Sequence, residues 1–245
     1  MTKKVAVPRK SGLHFEKISV AEVVRKIDAD VTKGRKKGTD DPIAEPVPRP
    51  RGRSSNSHGV HFYNDTDALC RIVGGFLGEG LAHGDLALVI ATPGHAAHIE
   101  SCLRAAGIDV DDLRRQGQFV TLDAQETLQL FMTNDMPNPG AFRHVVSSSL
   151  TELRRGREHC GIRAYGEMVD LLWKDGLELA AIRLETLWNQ LAATHDFKLL
   201  CGYSMGNFYK GAAIEDIHHQ HSHLIANSDD ATVRRDLATE PVALP

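Results

Sequence analysis

The chain has 245 residues, 42% of them apolar and 25% charged. That balance supports one ordinary domain with a sizeable core and excludes a globally disordered or collagen-like chain. The formal net charge of −3 hides an asymmetry: residues 1–57 carry 14 Lys and Arg against 7 Asp and Glu, and the other 188 carry 15 against 25. A basic arm on an acidic body points to an anionic partner, or to an arm that folds back on the body. The four cysteines, Cys70, Cys102, Cys160 and Cys201, form no C-x-x-C pair and read as buried, reduced thiols. No apolar run reaches the roughly 18–20 residues of a membrane span, and Lys3 and Lys4 precede no signal-peptide stretch. The expectation is a soluble, cytoplasmic protein that makes no membrane contact.

In chain order, Ser19 and Glu22 form a capping box for a short helix over 18–27, with Val20, Val23, Val24 and Ile27 on one stripe. Residues 32–57 are rich in Lys, Arg, Pro, Gly and Ser and read as linker. The regular pattern begins after this arm (1–57). Val60–Tyr63 is a strand, and Asp65 or Thr66 caps a helix to about Ala82. Leu86–Ala91 is an almost wholly apolar run, as a strand covered on both faces requires. A helix over about Ala96–Ala106 ends at Gly107. Phe119–Leu122 is the next strand, and Asp123 caps the helix that follows it. Asn138-Pro139-Gly140 starts a long helix to about Glu158. Ile162–Tyr165 is a strand and a helix follows from Met168; after Gly176 another helix runs from Leu177 to Thr194. Phe197–Tyr203 is a strand, and a last helix spans about 211–219. The folded body is placed at 58–227 and a flexible tail at 228–245.

Strands alternating with helices at this spacing predict an α/β fold, a mainly parallel central sheet flanked by helices. Ligands of such sheets sit at the carboxyl ends of the strands. That directs attention to Thr92–His95, Asp123–Glu126, Gly166–Asp170 and Tyr203–Asn207.

Several phrases in sequence order carry a resemblance. They are His61-Phe-Tyr63, Ile90-Ala-Thr-Pro-Gly-His95, Leu122-Asp-Ala-Gln-Glu-Thr-Leu128, Tyr165-Gly-Glu-Met-Val-Asp-Leu-Leu-Trp173, Leu184-Glu-Thr-Leu-Trp188 and His221-Ser-His223. Together, over about residues 59–227, they resemble the MEDS domain, the methanogen/methylotroph DcmR-type sensory domain. The resemblance implies a RecA/KaiC-like three-layer sandwich with a degenerate phosphate loop. It also implies a role in sensing small organic compounds, hydrocarbon derivatives among them, within two-component or transcriptional signalling. The chain departs from relatives at Cys201-Gly-Tyr-Ser204, where they tend to read Cys-Ala-Tyr-Pro, and in its extra His218-His219 pair.

A working phosphate loop needs G-x-x-x-x-G-K-[ST], and no G-K-[ST] occurs in the chain. At Ala91-Thr-Pro-Gly-His95 there is no Lys, and Pro93 removes an amide donor. Thr92 and His95 at this turn either contact a polar ligand at the helix N-terminus or simply turn the chain. Glu126 follows a strand end near Asp123. Arg163 and Glu167 are expected to pair, either at a ligand or as a lock between helix and sheet. His61, Tyr63 and Tyr203 complete the candidate ligand-binding set. His219 and His223, at the i, i+4 spacing that can chelate on a helix, form a candidate metal site. Trp173 and Trp188, among leucines at helical spacing, read as core or dimer face. Arg49, Arg51, Gly52 and Arg53 resemble an AT-hook core, with Ser54 where Pro is usual, and read either as a minor-groove contact or as a solvated linker.

The functional expectation is a sensor, not an enzyme, with no required cofactor and a small organic molecule or a nucleotide as its ligand. It would relay to a signalling partner such as a histidine kinase or a transcription regulator, through a homo-oligomer interface or through contact of the arm with DNA. The alternatives are a divergent nucleotide-binding ATPase and a DNA-associated regulator acting through the arm.

Overall fold

The computed structural model describes residues 57–207, 217, 219–225 and 234–236. The expected helix over 18–27, the segment holding Arg49, Arg51, Gly52 and Arg53, residues 208–216 and 218 with nearly all of the expected last helix over 211–219, and residues 226–233 and 237–245 lie outside the described residues.

The strands are β1 (His58–Tyr63), β2 (Leu86–Ala91), β3 (Phe119–Asp123), β4 (Met132–Thr133), β5 (Met136–Pro137), β6 (Ile162–Gly166), β7 (Lys198–Ser204), β8 (His223–Ile225) and β9 (Arg234–Asp236). The helices are α1 (Thr66–Ala82), α2 (Pro93–Ala105), α3 (Val110–Arg115), α4 (Ala124–Gln129), α5 (Pro139–Arg154), α6 (Met168–Lys174) and α7 (Glu178–Ala192). The main sheet has the order β3-β2-β6-β7-β1-β8-β9 and is parallel except for the antiparallel β8–β9 pair at its edge.

Strand alternation divides the core into two. Leu86, Leu88 and Ile90 of β2 join Ala164, Leu199, Cys201 and Tyr203 beneath α4, α5, α6 and α7. Ala87, Val89 and Ala91 face the other way, with Tyr63, Tyr165 and Leu200, beneath α1, α2 and α3. Every residue of β2 is buried, so the apolar run is explained by helices on both faces. The result is the expected three-layer α/β arrangement. Among the described residues no helix is long and apolar enough to cross a membrane.

Several boundaries differ from expectation. Pro93 occupies the first position of α2, so this helix starts a turn earlier than Ala96; proline is preorganised for that position. Helix α5 stops at Arg154, and Gly156 adopts φ 73° just beyond. Residues 234–236, expected to be tail, pair with β8, whose outer edge otherwise presents unpaired backbone groups.

Candidate functional site

Two polar centres are built into the layers on opposite faces of the sheet. The first lies where β2, β6, β7 and β1 end. Glu167 directly follows β6 and is 2% exposed. Its Oε1 accepts from the backbone N–H of Thr92, the N-cap of α2. Its Oε2 accepts from His95 Nδ1 at 2.6 Å and from the Tyr165 hydroxyl at 3.2 Å. Thr92 makes no side-chain cap of its own. Glu167 therefore does, from across the sheet, what a capping-box carboxylate does from within a helix.

One turn into α6, Asp170 accepts from the backbone N–H of Ser204, the last residue of β7, at 2.8 Å and from the Tyr63 hydroxyl at 3.4 Å. The Tyr63 ring meets His95 edge-on at 5.8 Å. His95 is the solvent-facing member, with a quarter of its side chain exposed. The hydrogen bond to Glu167 raises the His95 pKa against the opposing effect of burial, and the Glu167 and Asp170 charges add to it. Burial, then these same carboxylates, pushes the Tyr63 and Tyr165 hydroxyls up, so both are donors. Gly202 of β7 gives Tyr165 its place: a Cβ there would lie 2.6 Å from the hydroxyl oxygen.

The second centre lies under α7. Glu185, fully buried, accepts from the Tyr203 hydroxyl at 2.8 Å. Around it stand His58 Nε2 at 3.2 Å, Cys201 Sγ at 3.5 Å and His221 Nε2 at 3.3 Å. Burial alone would raise the Glu185 carboxyl, but the His221 and His58 imidazoles hold it well below the usual carboxylate range.

The family model described as MEDS, MEthanogen/methylotroph, DcmR Sensory domain, matches residues 57–222. The chain belongs to the MEDS family. No curated protein matches it. Among solved structures it is similar to a KaiC-like protein from the hyperthermophilic archaeon Pyrococcus horikoshii OT3. The identity is 8% and the TM-score 0.47, covering 69% of this chain and 71% of that one.

Within this MEDS domain, the strand-end centre brings together Tyr63, Thr92, His95 and Glu167 from the candidate set, and adds Tyr165 and Asp170. His61 is buried on the same face of β1 as Tyr63, with its ring stacked 6.3 Å from that of Tyr63. Glu126 is exposed in the first turn of α4 at the sheet edge, while Asp123 caps that helix as expected.

Three expectations are corrected. Arg163 does not pair with Glu167. It lies near the amino end of β6, bound to Glu79 Oε2 at 2.8 Å, to Asp85 Oδ2 at 3.2 Å and to the Phe76 carbonyl at 2.8 Å. The two residues share a strand face, but four residues of strand separate them by about 13 Å. Tyr203 is on the α7 face and belongs to the Glu185 centre. His219 and His223 are not one helical turn apart: His219 is an exposed turn residue and His223 opens β8.

The Glu185 centre is barely marked in the sequence. Its one local signal is a carboxylate set into the apolar stripe of α7, with Ala181, Leu184 and Trp188. His58, Cys201 and His221 come from three distant segments that only the sheet order joins.

Proposed function

We propose that this MEDS sensory domain detects a small, uncharged or cationic, hydrogen-bonding organic molecule at the Glu167–His95 pair. It relays occupancy to a signalling partner, a histidine kinase or a transcription regulator, without hydrolysing a nucleotide. The observation that carries this reading is the Glu167 carboxylate on the N-terminus of α2. An incoming phosphate would need the amides at that N-terminus, and Glu167 already holds the first of them. The first βα turn is guarded in the same way, since Asp65 caps α1 through the Ala68 N–H at 2.7 Å. Two carboxylates, Glu167 and Asp170, repel a polyphosphate and favour a hydroxyl, an amine or a proton.

The relay follows from the connections. Glu167 joins β6 to α2, and Asp170 joins α6 to the end of β7. A ligand that competes for His95 or Glu167 alters the first link, and Asp170 meets the change through the charge on His95. Strands β8 and β9 follow β7 in the chain and form one side of the sheet, and the β9 edge is a surface suited to passing the change on.

The test is a thermal-shift and calorimetric panel of short alcohols, amines, carboxylates and halogenated hydrocarbons, with ATP and ADP tried with and without Mg²⁺. A hydroxyl- or amine-bearing compound is expected to raise the melting temperature, and Glu167→Gln and His95→Ala are expected to abolish the shift. A shift by ATP or ADP that survives both substitutions would sink the proposal.

A further inference from the structure

We propose that His58, Glu185, Cys201 and His221 form a closed site for one borderline-soft divalent metal ion, zinc above all, that ties β1, β7, α7 and the entry to β8 together. The four residues each offer one ligand atom, and those atoms lie within 4.8 Å of one another. None is more than 6% exposed.

The spacing suits a metal. Ligand bonds of about 2.0–2.1 Å to nitrogen or oxygen and about 2.3 Å to sulfur give tetrahedral edges of roughly 3.3–3.5 Å. The observed separations are 3.2 Å from His58 Nε2 to Cys201 Sγ and 3.2 Å from His58 Nε2 to Glu185 Oε2. Cys201 Sγ is 3.5 Å from the same Glu185 oxygen, while His221 Nε2 is 3.3 Å from the other one, Oε1, and joins the set within the 4.8 Å limit.

The surroundings also fix the ligands as a metal requires. His58 Nδ1 donates to Asn189 Oδ1 at 2.9 Å, and the amide is held that way round because its Nδ2 donates to the Gln220 carbonyl at 2.8 Å. His221 Nδ1 donates to the Ile217 carbonyl at 2.6 Å. With both Nδ1 atoms protonated, both Nε2 lone pairs point into the cluster. Tyr203 holds one Glu185 oxygen from outside. A carbonyl group that accepts from the far ring nitrogen is the usual support of metal-bound histidine.

With neutral imidazoles and no metal the interior is short of donors. The two Nε2 atoms and the two Glu185 oxygens then face one thiol proton and the Tyr203 hydroxyl, and His221 Nε2, 3.3 Å from Glu185 Oε1, lacks hydrogen-bond geometry to it. Unpaired acceptors in a dry interior are costly. A divalent ion with one thiolate, one carboxylate and two neutral imidazoles sums to zero charge and gives each of the four ligand atoms a partner. The mixed N, S and O donor set fits zinc and disfavours calcium or magnesium. With four protein ligands and no solvent position the site is structural.

The experiment uses the full chain, with any affinity tag removed, purified without chelator. Elemental analysis and native mass spectrometry are expected to give about one zinc per chain. X-ray absorption at the zinc edge is expected to show one sulfur at about 2.3 Å with nitrogen and oxygen at about 2.0 Å. Cys201→Ser should remove the sulfur signal, and Cys102→Ser should leave it unchanged. Where Cys201→Ser fails to fold, removing zinc from the wild type with a chelator and following the melting temperature, then restoring it with zinc alone, gives the same decision. A folded wild-type protein that takes up no zinc would overturn the assignment. So would zinc with an all-nitrogen and oxygen shell, or a sulfur signal that persists in Cys201→Ser.

Discussion

His95 Nδ1 lies 2.6 Å from Glu167 Oε2, and the two residues reach each other from the ends of adjacent strands, β2 and β6. The carboxylate can only accept, so the imidazole presents its Nδ1 proton inward and its Nε2 to solvent. Asp170 and the ring and hydroxyl of Tyr63 surround the same imidazole. This geometry gives the first expected outcome. In a histidine-resolved NMR titration, the His95 midpoint lies above 6.5 in the wild type. It falls in Glu167→Gln, which keeps an acceptor for Thr92 but loses the charge. A midpoint unchanged by the substitution would mean that the pair does not set the protonation of His95.

The same shift has a consequence for stability. A histidine whose folded pKa is raised binds its proton more tightly in the folded state. Its contribution is therefore complete below the unfolded value of about 6.5, and it is lost as pH rises through the folded pKa. The groups facing His95 are Glu167 and Asp170, both nearly buried, and Tyr63 and Tyr165, which stay neutral throughout this window. Urea denaturation of wild type and His95→Gln should then diverge most just below the unfolded value and converge as pH rises through the raised folded one. A difference that grows with pH instead would reverse the assignment.

Arg163 anchors the opposite end of the sheet. A Cβ on Gly80 would lie 2.4 Å from its Cδ and Nε, so the helix glycine exists to let the guanidinium pass to Glu79, Asp85 and the Phe76 carbonyl. Gly80→Ala alone should destabilise through overpacking, by about 1–3 kcal/mol. In an Arg163→Ala background the same change should stabilise by up to about 1 kcal/mol, as helix propensity then acts unopposed. Chemical denaturation of the four members of this double-mutant cycle measures the coupling, and additive effects would contradict it. Neither substitution should alter ligand response, because both sit at the amino ends of the strands.

How much of this was legible in the sequence depends on the range of the signal. The apolar run of β2, the caps at Asp65, Asp123 and Asn138, and the breaks after Gly107 and Gly176 are local, and the structure follows them. The hairpin β4–β5 was missed because its strands have two residues each. Its turn does carry a local sign: Asn134 and Asp135 adopt positive φ, the conformation these residues tolerate. Strands β8 and β9 have three residues each and gain their identity only from partners far along the chain. The site was legible in part for the same reason. Thr92, His95 and Glu167 lie at strand ends, which alternation locates. Which face Tyr203 takes, and which partner Arg163 finds, depend on the layer that each strand covers, and one sequence does not state that.

The Glu167 carboxylate on α2 also predicts what its removal creates. In Glu167→Ala the Thr92 N–H and His95 lose their acceptor, and the N-terminus of α2 keeps its partial positive charge. The variant should lose about 1–3 kcal/mol from the buried groups left unsatisfied. It should also acquire affinity for small anions, because acetate, formate or phosphate can take the vacated place. Added acetate is then expected to raise the melting temperature of Glu167→Ala, by about 2–4 °C for each kcal/mol recovered. Chloride at equal ionic strength should do less, and the wild type should respond to neither, since its own carboxylate fills the position. Equal responses of the variant to acetate and chloride would reduce the effect to general screening. An equal rise in the wild type would show that the anion binds elsewhere and that Glu167 does not guard this helix.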